Sequence, residues 1–340
     1  MKSSHQKFQD RRSVARGALA AALFLLSATT PAAGQSEAAP KPQPPAISPD
    51  FPYESKFVEV LGSRMHYVEE GQGDPILLLH GNPTSAYLWR NVIPYLTPLG
   101  RVIAVDNIGF GRSDKPALDY TFDDHSRYIE GFIATLGLEN LTLVIHDWGS
   151  VLGLHYARRH EDNVKAVAFM EPIIPPAFPM KAYADFGDFE QTFRAFRDPA
   201  QGPAMIVDKN VFIEGLLPGA VMRDLGEAEM TAYREPFTDP ASRKPILVWP
   251  NELPIEGVPA RNLEVISAIG QWLQSSDTPK LLQYAAPGAI MPPEAAAWAA
   301  QNYKNIETQF VGYGIHYLQE DNPEAIGRGI ADWYRRLSVK

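Results

Sequence analysis

The chain has 340 residues, 45% of them apolar and 21% charged, the balance of a folded globular protein rather than of a disordered, collagen-like or multi-span membrane chain. Basic residues number 31 against 40 acidic ones, and the formal charge of −9 would repel nucleic acid and anionic lipid. With no cysteine, the chain has no disulfide, no thiolate nucleophile and no cysteine-ligated zinc or iron–sulfur site.

Residues 1–34 have the three-part layout of an export signal. They open with Lys2, Lys7, Arg11, Arg12 and Arg16, continue with an apolar run from Ala18 to Leu26 that is short for a bilayer span, and end in Ala32-Ala33-Gly34. This predicts a periplasmic or secreted protein with no stable membrane association after cleavage, and the Arg11-Arg12 pair suggests the twin-arginine route. Residues 35–50 hold five prolines and almost no large apolar side chain, so they are expected to form a flexible, extended spacer.

Apolar, β-branched stretches then recur at Pro75–Leu79, Arg101–Val105, Leu141–Ile145, Val164–Met170, Lys280–Gln283 and Ile306–Val311, and read as buried strands. Helical patterns such as Ser126–Leu136 and Ser150–Arg159 lie between them. Alternation of strand and helix predicts an α/β fold, a mostly parallel central sheet flanked by helices. The alternation breaks at about residue 173 and resumes near 258. Residues 51–172 and 259–340 are therefore expected to form the core, with 173–258 an inserted helical cap over the sheet edge where α/β ligands bind.

The first of these strands runs into Leu77-Leu-Leu-His-Gly-Asn-Pro-Thr84, and its loop is where an oxyanion-hole amide is usually found. Asn82 offers a side-chain N–H pair there. Further on, Leu143-Val-Ile-His-Asp-Trp-Gly149 takes a buried strand through a small-residue turn into a helix, the setting of a nucleophile elbow, with Asp147 at the nucleophile position. A carboxylate attacks saturated carbon well when the leaving group is stabilised and water is excluded. Trp148, beside it, carries an indole N–H and no acceptor. Two neutral donors, Asn82 and Trp148, suit a large monovalent anion such as chloride or bromide.

An ester on Asp147 must then be hydrolysed, which needs a base placed after the nucleophile. Of the eight histidines only His155, His160 and His316 follow Asp147, and the first two recede along the helix that leaves the elbow. His316, just past the last strand, is left as the base. Its acidic partner belongs after Lys280–Gln283 or one strand earlier. The loop Tyr284 to Pro293 contains no carboxylate, whereas the earlier strand ends in Ala168-Phe-Met-Glu171, so the acid is Glu171 by elimination.

These motifs, from about Phe51 to Leu337, resemble the haloalkane dehalogenases of the α/β-hydrolase superfamily, in particular the subfamily with an Asp–His–Glu triad and an Asn–Trp halide pair. Gln191 to Phe196, Asn210 to Pro218, Tyr233 to Phe237, Pro250 to Pro254 and especially Gly314 to Pro323 carry the likeness. The resemblance implies Asp147, His316 and Glu171 as the triad, and Asn82 with Trp148 as halide ligands. Phe193, Phe212, Leu216, Ala220, Leu253, Ala289, Ile290 and Tyr317 become pocket walls. It further implies hydrolysis of small halogenated aliphatics to a primary alcohol and halide with no cofactor or metal. Gly109-Phe-Gly111 lacks the third glycine of a dinucleotide fingerprint. Rival readings on the same fold are an epoxide hydrolase, for which Tyr183 and Tyr233 could serve, and a luciferase-like monooxygenase.

Overall fold

The computed structural model describes residues 47–337, so the expected export signal and residues 35–46 of the expected spacer lie outside the described residues. Within them run β1 (Lys56–Val60), β2 (Ser63–Glu70), β3 (Pro75–Leu79), β4 (Arg101–Val105), β5 (Leu141–Asp147), β6 (Val164–Pro172), β7 (Lys280–Pro287) and β8 (Ile306–Gly314). They form one sheet in the order β1-β2-β4-β3-β5-β6-β7-β8. β1, β2 and β4 pair antiparallel, and all pairs from β4 onward are parallel.

Two features depart from the sequence expectation. β1 and β2 form a hairpin that no apolar run announced. Its turn residues Leu61 and Gly62 both have positive φ, at 51° and 77°, as a two-residue hairpin turn requires, but leucine at the first of them hides the usual Asn-Gly signal. The end of the expected flexible spacer is also held in place. The Ser48 N–H donates to Asn91 Oδ1 at 3.1 Å, its carbonyl accepts from Arg90 Nε at 2.8 Å, and the Pro49 carbonyl accepts from the Tyr87 hydroxyl at 2.6 Å. Backbone groups make these contacts, and composition carries no trace of them.

The helices of eight residues or more are α1 (Phe122–Thr135), α2 (Trp148–Arg159), α3 (Glu190–Arg197), α4 (Glu227–Arg234), α5 (Lys244–Glu252), α6 (Ala260–Ser275), α7 (Pro293–Asn302) and α8 (Pro323–Leu337). Period-two alternation splits the sheet's side chains between two faces. Leu77, Leu79, Leu143 and Ile145 join one apolar cluster with α1, α2 and α6, while Ile76, Leu78 and Val144 join another with Ile326, Ile330 and Trp333 of α8. Helices thus cover both faces, as a buried parallel sheet needs.

Residues 173–258 contribute α3 to α5 and short helical turns. Phe196, Ile206, Phe212 and Trp249 from this segment belong to the same apolar cluster as α1 and α2. A buried charge network adds a polar tie. Arg90 donates to Glu320 at 2.6 and 2.8 Å and to Glu229 at 2.9 Å, Arg223 donates to both carboxylates, and the Tyr233 hydroxyl donates to Glu320. Arg223, Glu229 and Tyr233 come from the inserted segment, Arg90 and Glu320 from the residues around it.

Candidate active site

Asp147 ends β5 and opens α2 at φ 51° and ψ −127°, a conformation that side-chain-bearing residues rarely hold. Close packing enforces it. A Cβ on Gly149 would lie 2.3 Å from the Leu79 carbonyl oxygen, and one on Gly81 would lie 2.0 Å from Asp147 Oδ1. The first glycine lets α2 leave the sheet tightly, and the second clears room for the carboxylate itself. Ser150 Oγ, which donates to the Asp147 carbonyl and accepts the Ile173 N–H, stitches the turn to the chain after β6.

The two oxygens of Asp147 have different neighbours. Oδ1 accepts the backbone N–H of Asn82 at 2.8 Å, and Oδ2 faces His316 Nε2 at 3.6 Å, ion-pair range rather than a hydrogen bond. On the far side of the ring, Nδ1–H of His316 donates to Glu171 Oε2 at 3.1 Å. Asp147, His316 and Glu171 therefore stand in a line, although 145 residues separate the histidine from its acidic partner.

Glu171 is wholly buried, also at positive φ (45°), and its seat is the loop after β7. The backbone N–H groups of Ala289, Ile290 and Met291 donate to its carboxylate at 3.1, 2.7 and 3.2 Å. That loop was the other place on the fold where the acid could have stood. It supplies donors to the carboxylate of the neighbouring strand instead.

Burial would raise the Asp147 carboxyl, yet the neighbouring His316 and the Trp148 backbone N–H hold it below the usual carboxylate range. Burial would lower His316, but its contacts with Asp147 and then Glu171 push it up to about 9. Around neutral pH the site holds an imidazolium between two carboxylates.

Asn82 lies at the tip of β3's loop. One side-chain N–H donates to the Ile246 carbonyl of α5 at 3.2 Å, and its own carbonyl accepts the Tyr317 hydroxyl at 3.0 Å. His80 braces the same loop, donating from Nδ1 to the Gly81 carbonyl at 2.8 Å and accepting the Asn107 N–H at Nε2. Trp148 is buried, and its ring stacks on Trp249 at 4.4 Å, which stacks in turn on His125 at 4.3 Å.

Of the other expected wall residues, Phe212, Leu253 and Tyr317 are buried in the apolar cluster that includes Trp148, with Phe193, Leu216, Ala220 and Ile290 packed against it. Phe193 stacks on Phe186 at 4.0 Å. Ala220 and Ala289 contribute through backbone: the Ala220 carbonyl accepts the His316 N–H at 3.0 Å, and Ala289 helps to seat Glu171.

His146 escaped the sequence reading. Its Nε2–H donates to the backbone carbonyl of His316 at 2.9 Å, and the two rings lie 4.8 Å apart. Burial, and then the positive charge of His316, lower His146 to about 3, so it stays neutral. A polar residue inside a strand buried along its whole length was the available signal.

A sequence model of the alpha/beta hydrolase fold family matches residues 74–219. The chain is 43% identical over 302 residues to a haloalkane dehalogenase of Mesorhizobium japonicum, an alignment spanning 88% of this chain and 95% of that one. It is 44% identical over 293 residues to another from Sphingobium indicum, spanning 84% and 96%. The crystal structure of a haloalkane dehalogenase from Bradyrhizobium elkani matches it with a TM-score of 0.82 at 44% identity, over 84% of this chain and 99% of that one.

Proposed function

Because this chain belongs to the haloalkane dehalogenases of the alpha/beta hydrolase fold, which hydrolyse carbon–halogen bonds, we propose how its own residues carry out that reaction. Oδ2 of Asp147 attacks the halogen-bearing carbon of a small haloalkane, the carbon–halogen bond breaks, and the halide departs toward the side-chain N–H groups of Asn82 and Trp148. By analogy with oxyanion-hole donors, each is worth about 3 kcal/mol of barrier. The Trp249 stack holds the indole in place for this role.

Ester formation removes the charge of Asp147, the larger of the two influences that raise His316. The imidazolium then releases its proton to solvent, the acid that accompanies the halide in the net reaction, and becomes a base at the step that needs one. A water molecule attacks Cγ of Asp147, its proton passes to His316 Nε2, and the oxyanion forms on Oδ1, already within reach of the Asn82 backbone N–H. Collapse of this intermediate breaks the bond between Cγ and the alkoxide oxygen, and His316 returns the proton to release a primary alcohol. The observation that carries the reading is the unequal setting of the two Asp147 oxygens, one held by an N–H and one facing His316.

The epoxide reading finds less support, because Tyr233, which it would enlist as an acid, is buried with its hydroxyl committed to Glu320. Residues 173–258 are read as a cap over a core of 51–172 and 259–340, through the Ile246 and Ala220 carbonyls that reach Asn82 and His316. Residues 1–34 are read as a cleaved leader, giving a periplasmic or secreted enzyme, on their basic opening and short apolar run.

The test pairs halide release from 1-bromoalkanes and 1,2-dibromoethane with mass spectrometry of His316→Phe. Wild type is expected to release halide, acid and alcohol in equal amounts, and the variant to accumulate an alkyl ester on Asp147. Halide release from wild type without an adduct on the variant would remove His316 from the role of base.

A further inference from the structure

Away from Asp147 and its partners, a serine, a histidine and an aspartate form a second chain of hydrogen bonds. Asp106, just past β4, is 2% exposed, and both its oxygens are occupied: Oδ1 accepts the Ala86 N–H at 2.7 Å, and Oδ2 accepts the Arg112 N–H at 2.7 Å. Oδ2 also faces His66 Nδ1 at 2.7 Å. An ionised carboxylate only accepts, so Nδ1 of His66 carries a proton, which in the neutral imidazole leaves Nε2 as the acceptor. That Nε2 lies 3.0 Å from Ser55 Oγ, directly before β1. His66 is held in place by its backbone, its N–H donating to Ser113 Oγ at 2.9 Å and its carbonyl accepting the Asp106 N–H at 2.9 Å.

A histidine–aspartate tie between β2 and the end of β4 would be explained by its contribution to the sheet. Such a tie does not require what stands at its outer end. Ser55 is partly exposed, its hydroxyl is aligned on the free imidazole nitrogen, and Arg112 Nη1 donates to the same Oγ at 2.7 Å from an exposed side chain. These are the parts of an acyl-transfer site, a nucleophile, a base with a fixed tautomer, a buried acid, and a cation beside the reacting oxygen.

We propose that Ser55, His66 and Asp106 form a second nucleophilic site that accepts the acyl group of small activated carboxylic esters, with the Arg112 guanidinium as its oxyanion ligand. Ser55 Oγ bonds to the ester carbonyl carbon while its proton passes to His66 Nε2 and Asp106 balances the imidazolium. The carbon–oxygen bond to the leaving group then breaks, and the leaving alkoxide takes the proton back from His66. Water reverses the sequence, returning Ser55 and releasing the carboxylic acid. Ser55 is only partly exposed, which restricts the substrate to a small, reactive acyl group.

A fluorophosphonate probe, which phosphonylates an activated serine as an ester would acylate it, tests the assignment. It is applied to the full-length chain in an Asp147→Asn background, which removes the other nucleophile, and to Ser55→Ala, Arg112→Gln and His66→Gln in that background. Adducts are located by peptide mass spectrometry, and thermal melts establish that each variant folds. An adduct on Ser55 is expected, absent from Ser55→Ala and formed at least about tenfold more slowly in Arg112→Gln and His66→Gln. No adduct on Ser55, or one formed as fast in Arg112→Gln as in the parent, overturns the proposal. The arginine variant decides the matter if His66→Gln does not fold.

Discussion

His316 lies between two carboxylates, and its raised affinity for a proton has a consequence for stability as well as for chemistry. A group whose folded value is near 9 against an ordinary 6.5 stabilises the native state fully below about pH 6.5, and that contribution is lost as pH rises through about 9. His316→Phe has no such proton to lose. The gap in thermal midpoint between wild type and His316→Phe should therefore narrow from pH 6 to pH 10, and a gap that stays constant or widens would contradict the ion-pair account. His146 makes a second prediction. Glutamine can present an amide N–H near the position of Nε2, whereas leucine cannot. His146→Gln is expected to keep near wild-type turnover, and His146→Leu to slow ester hydrolysis by on the order of tenfold or more while still forming the ester. Rapid-quench kinetics with mass detection separates the two half-reactions.

At the scale of elements, the strand–turn–helix at β5 and α2 stores its strain in one residue and relies on two glycines to do so. They serve different ends, so their substitutions should fail differently. Gly149→Ala drives a methyl into the backbone of Leu79 and His80 and is expected to lower stability by about 1–3 kcal/mol, read by urea unfolding. Gly81→Ala drives its methyl against Oδ1, Cβ and Cγ of the anchored Asp147 side chain, so besides costing stability it displaces the carboxylate and lowers kcat by on the order of a hundredfold. Much of this unit was legible in the sequence, because a buried strand followed by Asp-Trp-Gly leaves few other folds for those residues. Asp147, Glu171 and His316 came from chain order and the chemistry each step needs. The partners of Glu171 were not legible, because peptide N–H groups belong to every residue and carry no signature. The β1–β2 hairpin was missed because its outer strand alternates partly buried and exposed residues and turns on a leucine.

For the molecule as a whole, the network of Arg90, Arg223, Glu229 and Glu320 joins the inserted segment to the sheet-bearing residues through charges of which all but the partly exposed Arg223 are held away from water. Removing one partner leaves an uncompensated buried charge, so Glu320→Gln is expected to lower stability by about 3–5 kcal/mol in urea unfolding. Replacing Arg90 and Glu320 together with apolar residues should cost less than the two single changes combined, a non-additivity that a double-mutant cycle measures. This tie was not legible in the sequence, since its members lie up to 230 residues apart and no local pattern links them.

The seat of Glu171 separates the support of a carboxylate from the side chains of the loop that supports it. Its carboxylate rests on the peptide groups of residues 289–291, so the side chains of Ala289 and Ile290 can be exchanged without loosening it. Only proline, which lacks the N–H, would disturb that support directly. One short loop can therefore drift in size and polarity while the carboxylate it carries stays fixed.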